Sequence, residues 1–149
     1  MQKTALFLIA ALLLSCRVQA ISAQKAILVD AETGRVLFEK NADARGLIAS
    51  TTKIMTALVA LRTYEMDEVV SFTWDDIGFL EYGDAHIGIK PDEKVNMEDC
   101  MYAMLFASAN EVSHAIGAHY EGGYDAFLAE MEKELLQWHS EMILEADKA

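Results

Sequence analysis

Two short constellations in this chain could do chemistry. Ser50-Thr51-Thr52-Lys53 sets a serine and a lysine three residues apart, and one turn of helix brings side chains at that spacing to one face. A serine hydroxyl is a poor nucleophile until a base removes its proton. A lysine desolvated against a buried helix has a lowered pKa and can be that base. A serine at a helix N-terminus gains further, because free backbone N–H groups and the positive dipole end favour negative charge on a bound acyl oxygen. The competing reading of Ser50 is a plain helix cap, a role serine fills well.

Spacing alone selects nothing. Chance supplies roughly 0.4 Ser-x-x-Lys pairs in a chain of this serine and lysine content. The sequence holds a second one, Ser22-Ala23-Gln24-Lys25, with no helical pattern behind it. Context therefore singles out Ser50. The second constellation, Ser108-Ala109-Asn110, is rarer, with roughly 0.14 such triplets expected by chance. It interrupts two helical patterns, where a short joint could present both polar side chains to a cleft. Ser108 could relay a proton to a leaving amine and Asn110 could hydrogen-bond a substrate amide. Either could instead cap a helix at the joint.

Other candidates are weaker. His114 and His119 are five apart, on different helix faces, and lack a cysteine partner, so no metal site is expected. Asp75-Asp76 and Glu98-Asp99 read as helix N-terminal acids. Trp74 and Trp138 read as core.

These residues need elements to position them. Lys25–Val29 and Arg35–Lys40 are short β-rich runs separated by Asp30-Ala31-Glu32-Thr33-Gly34, in which Gly34 can supply the positive φ of a bulged hairpin turn. Ser50 to about Thr63 is a helix with almost no polar side, the mark of a buried helix. Val69–Phe72 is a short strand, and Thr73–Lys90 is irregular. Asn96 can cap a helix beginning at Met97, with Asp99 closing a variant of the capping box. A further helix spans Glu111–Tyr120. After Gly122-Gly123 a last helix runs from Tyr124 toward Ala146, with an apolar stripe at Tyr124, Leu128, Met131, Leu135, Trp138 and Met142.

The 149 residues suffice for one domain or part of a larger one, and 53% hydrophobic content allows a real core. A net charge of −12 excludes a nucleic-acid binder and electrostatic docking on an anionic membrane. Lys3, the apolar run Ala5–Leu14 and Val18-Gln19-Ala20 together read as a secretory signal peptide over residues 1–20. Leu13-Leu14-Ser15-Cys16 is a loose lipobox, which keeps a lipoprotein form open. Cleavage after Ala20 leaves Cys100 alone, so no intrachain disulfide is expected.

The flanks then add to the motifs. Ala26-Ile27-Leu28-Val29-Asp30-Ala31-Glu32-Thr33-Gly34-Arg35-Val36-Leu37-Phe38-Glu39-Lys40-Asn41-Ala42, leading into Ala49-Ser50-Thr51-Thr52-Lys53-Ile54-Met55-Thr56-Ala57, resembles the start of the serine D-alanyl-D-alanine carboxypeptidases, the low-molecular-mass penicillin-binding proteins. The resemblance continues through Val95–Leu105 into Ser108-Ala109-Asn110 and fades around Tyr124–Met131. It implies an α+β, β-lactamase/transpeptidase-like fold, incomplete in this chain, with an N-terminal β-hairpin packed on a helical subdomain. It implies Ser50 as acyl nucleophile, Lys53 as general base, Ser108 as proton relay and Asn110 as substrate-binding residue. The implied reaction removes the terminal D-alanine from peptidoglycan stem peptides ending in D-Ala-D-Ala through an acyl-enzyme, and β-lactams would acylate the same serine. No cofactor or metal is implied. Export to the periplasm or the outer face of the cytoplasmic membrane fits such a substrate.

The sequence also departs from the family. No Lys-Thr-Gly triplet occurs, Lys3-Thr4-Ala5 being the nearest match. Ile48 stands where proline is usual and Glu111 where aspartate is usual. Residues 21–131 read as the front part of a carboxypeptidase catalytic domain and 132–149 as a divergent helical tail, whose stripe could cover apolar surface or drive self-association. A two-stranded sheet is marginal by itself, so on this reading the chain is a poor catalyst or an unstable one. Two alternatives stand beside the carboxypeptidase. One is a related acyl-serine hydrolase, a β-lactamase or transpeptidase, and the other an inactive remnant serving as a binding module.

Overall fold

The computed structural model describes residues 21–146, with side chains described as far as His139. The leader expected over residues 1–20 and the side chain of Met142 lie outside the described residues. The chain divides into two units, one up to Leu47 and one from Ile48 onward.

The first unit is a hairpin of β1 (Ala26–Val29) and β2 (Val36–Lys40). The strands pair antiparallel from Ala26↔Lys40 to Val29↔Val36, with the register shift of a bulge between Leu28 and Val29. The turn is built by Asp30. Its Oδ1 accepts from the Thr33 amide at 2.8 Å and the Thr33 hydroxyl at 2.6 Å. Gly34 takes φ +70°, a backbone state that costs a side-chain-bearing residue about 1 kcal/mol or more. The hydroxyl and amide of Thr33 hold the Asp30 carboxyl below its ordinary value.

The second unit carries the core. A 3₁₀ turn (Ala49–Thr51) leads into α1 (Thr52–Thr63). After it come β3 (Val69–Ser71) and an irregular stretch, then β4 (Lys94–Asn96) runs directly into α2 (Met97–Phe106). α3 (Asn110–Ala118) and α4 (Gly123–Ala146) follow. β3 and β4 pair antiparallel, Val70 opposite Val95. β4 escaped the sequence reading because three residues with one apolar member carry no period to detect.

α2 begins as expected. The Asn96 side chain accepts from the Asp99 amide at 2.8 Å. The Asp99 carboxylate returns to the Asn96 side-chain amide, at 2.9 Å, rather than to its backbone as in a standard capping box. The free amides of Met97 and Glu98 donate to the carbonyls of Glu68 and Met66, which locks the start of α2 to the end of α1's loop.

α3 lies against α1, α2, α4 and β3. Val112, Ala115 and Ile116 from α3 join Val59 and Ala60 of α1, Met97, Cys100 and Met104 of α2, Phe127 of α4, and Val70 and Phe72. Gly117 permits the close approach of α4, since a Cβ there would lie 2.9 Å from the Tyr124 ring and 3.2 Å from that of Phe127. The Tyr64 hydroxyl, also buried, donates to the Ile116 carbonyl at 3.0 Å. Cys100 is free and buried, its thiol pushed up to about 12 by desolvation and the nearby Asp99 charge.

Three expectations are corrected. α1 is not buried all round: Lys53, Thr56, Ala57, Val59 and Ala60 turn inward, while Ile54 and Leu61 are 65% and 59% exposed. Partners cover only one face of it, so hydrophobicity on the other face does not bring burial. On α4 the inward face is Phe127, Met131, Glu134 and Trp138, and Leu128 and Leu135 are exposed. The face is rotated because Phe127 fills the space opened by Gly117 and because Glu134 pairs with Arg62 of α1. Trp74 is 69% exposed rather than core, since it sits on a turn with no element packed over it. No helix among the described residues is long and apolar enough to cross a membrane.

Candidate active site

Ser50 is the middle residue of the 3₁₀ turn, and Lys53 lies in the first turn of α1 on the same face. The Lys53 Nζ is 3.4 Å from Ser50 Oγ. This much follows from helical spacing. The opposing half of the site comes from the joint between α2 and α3. The chain leaves α2 through Ser108 in the left-handed region at φ +56°, where a glycine would be less strained. The turn swings Ser108 Oγ to within 2.7 Å of Ser50 Oγ. Asn110 opens α3, and its Oδ1 accepts from Lys53 Nζ at 2.7 Å. Its backbone amide donates to the Ala85 carbonyl at 2.9 Å, fixing the joint against the irregular segment.

All four residues singled out in the sequence therefore meet at one place, and the capping readings fall away. Neither Thr51, which caps α1, nor Ala109, which caps α3, makes a side-chain cap bond. The hydroxyl of Ser50 bonds to Ser108 and Lys53, and the Asn110 carbonyl oxygen is taken by Lys53. A cleft of about 330 Å³ opens at this point, with Ser50, Lys53 and Ser108 beside the apolar walls of Ile54, Met104 and Leu105.

The amides of Thr51 and Thr52 are engaged by carbonyls at the 3₁₀ turn, because a tight turn precedes α1 and satisfies donors that an abrupt helix start would leave open.

Lys53 is only 8% exposed. Desolvation holds its ammonium below the ordinary lysine value, with the Glu111 carboxylate pulling the other way. Such a lysine is more readily neutral than one in water, and a neutral amine beside a hydroxyl can accept its proton. Ala49, the first residue of the 3₁₀ turn, also takes a left-handed φ of +47°. Both halves of the cluster thus rest on non-glycine residues in a conformation that costs about 1 kcal/mol or more each.

A second polar cluster was not foreseen. Asp76 is buried. Its Oδ2 accepts from the amide and hydroxyl of Thr73, both at 2.7 Å, and its Oδ1 meets His114 Nδ1 at 2.8 Å. The reading of Asp75-Asp76 as helix N-terminal acids is corrected: the segment turns without becoming a helix, and the second Asp76 oxygen is used by a residue 38 positions away. Burial alone would push the Asp76 carboxyl up; Thr73 and His114 outweigh it and hold the group below its ordinary value. The His114 ring lies between Phe79 and Tyr124, with centroids 5.2 and 4.3 Å away. His119 instead faces Glu68, at 3.4 Å. The sequence carried both partners of the Asp76–His114 pair but no local signal that they meet. Glu111, noted only for standing where aspartate is usual, is wholly buried next to Asn110.

Comparison with known proteins supplies the remaining evidence. A protein-family model described as D-alanyl-D-alanine carboxypeptidase matches residues 14–142. The chain is 29% identical over 118 residues to the D-alanyl-D-alanine carboxypeptidase DacF of Bacillus subtilis, an alignment covering 76% of this chain and 30% of that protein. It is similar in structure to the D-alanyl-D-alanine carboxypeptidase of Mycobacterium tuberculosis, with a TM-score of 0.68 and 28% identity, over 77% of this chain and 42% of the other. The Streptomyces K15 DD-transpeptidase shares the fold at a TM-score of 0.73 and 24% identity, over 78% of this chain and 48% of the other. The chain spans about a third of the length of the curated relatives it matches.

Proposed function

This chain belongs to the D-alanyl-D-alanine carboxypeptidase family, and on that premise we propose that its Ser50 cluster carries out acyl transfer on peptides ending in D-Ala-D-Ala. Ser50 Oγ attacks the carbonyl carbon of the penultimate residue as neutral Lys53 takes the hydroxyl proton. The tetrahedral intermediate collapses, the C–N bond breaks, and the proton passes from Lys53 by way of Ser108 to the departing D-alanine amine. Water then attacks the ester on Ser50 as Lys53 accepts its proton; the C–O bond to Ser50 breaks and Lys53 returns that proton to Ser50 Oγ. Asn110, held by Lys53, is the group that orients the substrate amide. β-Lactams would acylate Ser50 by the same attack on their ring amide.

The observation that carries this reading is the convergence on Ser50 Oγ of Ser108 Oγ at 2.7 Å and the desolvated Lys53 Nζ at 3.4 Å. A nucleophile, its base and a relay within hydrogen-bond reach are what proton-coupled acyl transfer needs before substrate arrives. The relatives named above are bacterial, and with residues 1–20 read as a leader we place the activity outside the cytoplasmic membrane.

The test is covalent labelling of the whole chain by a fluorescent penicillin, paired with D-alanine release from a pentapeptide. Labelling that maps to Ser50 and vanishes in Ser50→Ala is expected. Absence of labelling at every pH, or labelling that survives in Ser50→Ala, would overturn the proposal.

A further inference from the structure

Among the described residues the buried charged side chains are Lys53, Asp76 and Glu111. A buried charge is costly unless an opposite charge or a set of hydrogen bonds compensates it. Asp76 has the hydrogen bonds, from Thr73 and His114. That leaves one buried amine and one buried carboxyl group, on the neighbouring helices α1 and α3. Glu111 is 0% exposed, and its Oε1 accepts from the Ile87 amide at 2.7 Å. Its Oε2 is buried without a hydrogen-bond partner among the described residues, an arrangement that is costly for a neutral polar group and more so for a charged one.

We infer that Glu111 is an electrostatic positioning residue of the Ser50–Lys53 site, its buried carboxylate balancing the charge that Lys53 acquires when it takes the Ser50 proton. The inference rests on the acyl-transfer reading for its purpose and on geometry for its substance. Lys53 does not touch Glu111. It donates to Ser50 and to Asn110, the residue just before Glu111 in α3. The carboxylate therefore leaves the amine's hydrogen bonds to the reacting groups and acts through space, where low polarity strengthens its field. Desolvation makes Lys53 easy to deprotonate, and Glu111 restores part of its proton affinity. Too little affinity would leave it a weak base, too much would leave it blocked by its own proton, and the two opposed influences set the compromise. The bond to Ile87 ties the same carboxylate to the irregular segment whose Ala85 carbonyl anchors Asn110, so charge and position are fixed together.

The other titratable groups near the pair are accounted for. His114, one turn along α3, is engaged by Asp76. His86, beside Ile87, is exposed. The Cys100 thiol of α2 is held neutral, at about 12.

The experiment follows the Lys53 ¹³Cε resonance of the whole chain through a pH series. In Glu111→Gln, which still offers an acceptor to Ile87, the Lys53 midpoint should fall by about one unit, a tenfold change in its protonation equilibrium. Glu111→Asp, which keeps the charge, should remain within about 0.3 unit of the unaltered chain. The acid limb of penicillin acylation should move with the midpoint. Glu111→Met, which removes the charge but keeps the apolar bulk, should lower the Lys53 midpoint in the same direction, and this variant tests the pair if Glu111→Gln does not fold. An unchanged Lys53 midpoint in folded Glu111→Gln, or in folded Glu111→Met, would overturn the inference and leave Glu111 a packing residue. Failure of the unaltered chain to be acylated at any pH would instead refute the acyl-transfer reading, while the coupling would stand or fall by the resonances alone.

Discussion

α3 holds two buried polar clusters about one turn apart, and they are built differently. Around His114, both Asp76 oxygens are satisfied by three partners at 2.7–2.8 Å, and two aromatic rings flank the imidazole. Around Asn110, Lys53 reaches Ser50 only at 3.4 Å, Glu111 keeps an oxygen without a partner among the described residues, and Ser108 and Ala49 sit in left-handed backbone. The first cluster clamps the irregular segment to α3. The second carries costs that a purely structural cluster would have no reason to bear, and such costs gather where groups must be held ready to react. Polar burial by itself therefore does not mark a reactive site. The proposed active site differs by incomplete satisfaction combined with a desolvated lysine.

The largest effect expected from breaking this contrast is at Lys53. Lys53→Arg should lower the penicillin acylation rate by about 10³-fold or more, because arginine keeps its proton at any pH the fold survives. Its thermal unfolding midpoint should move by only a few degrees. Normal acylation by this variant would show that Lys53 is structural, and that the two clusters do not differ in kind.

Asp76→Asn should do the opposite, costing about 2–4 kcal/mol in stability through a weakened buried network and leaving the acylation rate of the folded protein within about twofold. The sign with pH is fixed by the depressed carboxyl of Asp76. Its contribution is fully present above the unfolded-state value of about 3.9 and is lost as pH falls through the lower folded value. The variant should consequently show a flatter loss of stability below about pH 4, measured by urea unfolding across an acid series. Equal acid sensitivity in the two proteins would remove Asp76 from the clamp.

A smaller effect sharpens the same comparison. Ser108→Gly relieves a left-handed residue while deleting the proposed relay hydroxyl. Stability should rise by up to about 1 kcal/mol, less what is lost to the greater freedom of glycine in the unfolded chain, and acylation should slow. Denaturant midpoints and labelling rates measured together check this opposition. Loss of stability with unchanged labelling would mean that the Ser50–Ser108 hydrogen bond serves the fold alone.

How much of this was legible beforehand depends on sequence distance. The Asn96 cap, the Gly34 turn and the Ser50–Lys53 spacing are each settled within a few residues, and the structure shows them close to the reading. The outward face of α1 and the rotated face of α4 were misread. Hydropathy says that Ile54 and Leu128 are apolar, but not that a neighbour covers them. Glu134 faces inward because Arg62, on another helix, waits for it. Asp76 and His114 gave no sign of meeting, since neither residue type nor spacing encodes a contact across 38 positions.

The sequence by itself determined the periodicities, the caps and the pair of reactive types one helical turn apart, because backbone geometry repeats every few residues and carries those relations wherever the segment goes. Only the tertiary structure decided that Ser108 would reach Ser50, that Asn110 would take Lys53, and that Glu111 would be buried beside them with one oxygen unmatched. Those relations depend on how α1, α2 and α3 close around a shared core, where one added methylene or one covering residue shifts which atoms meet. The charge of Lys53 belongs to the same side of the division, for it is set by desolvation and by a carboxylate 58 residues along the chain.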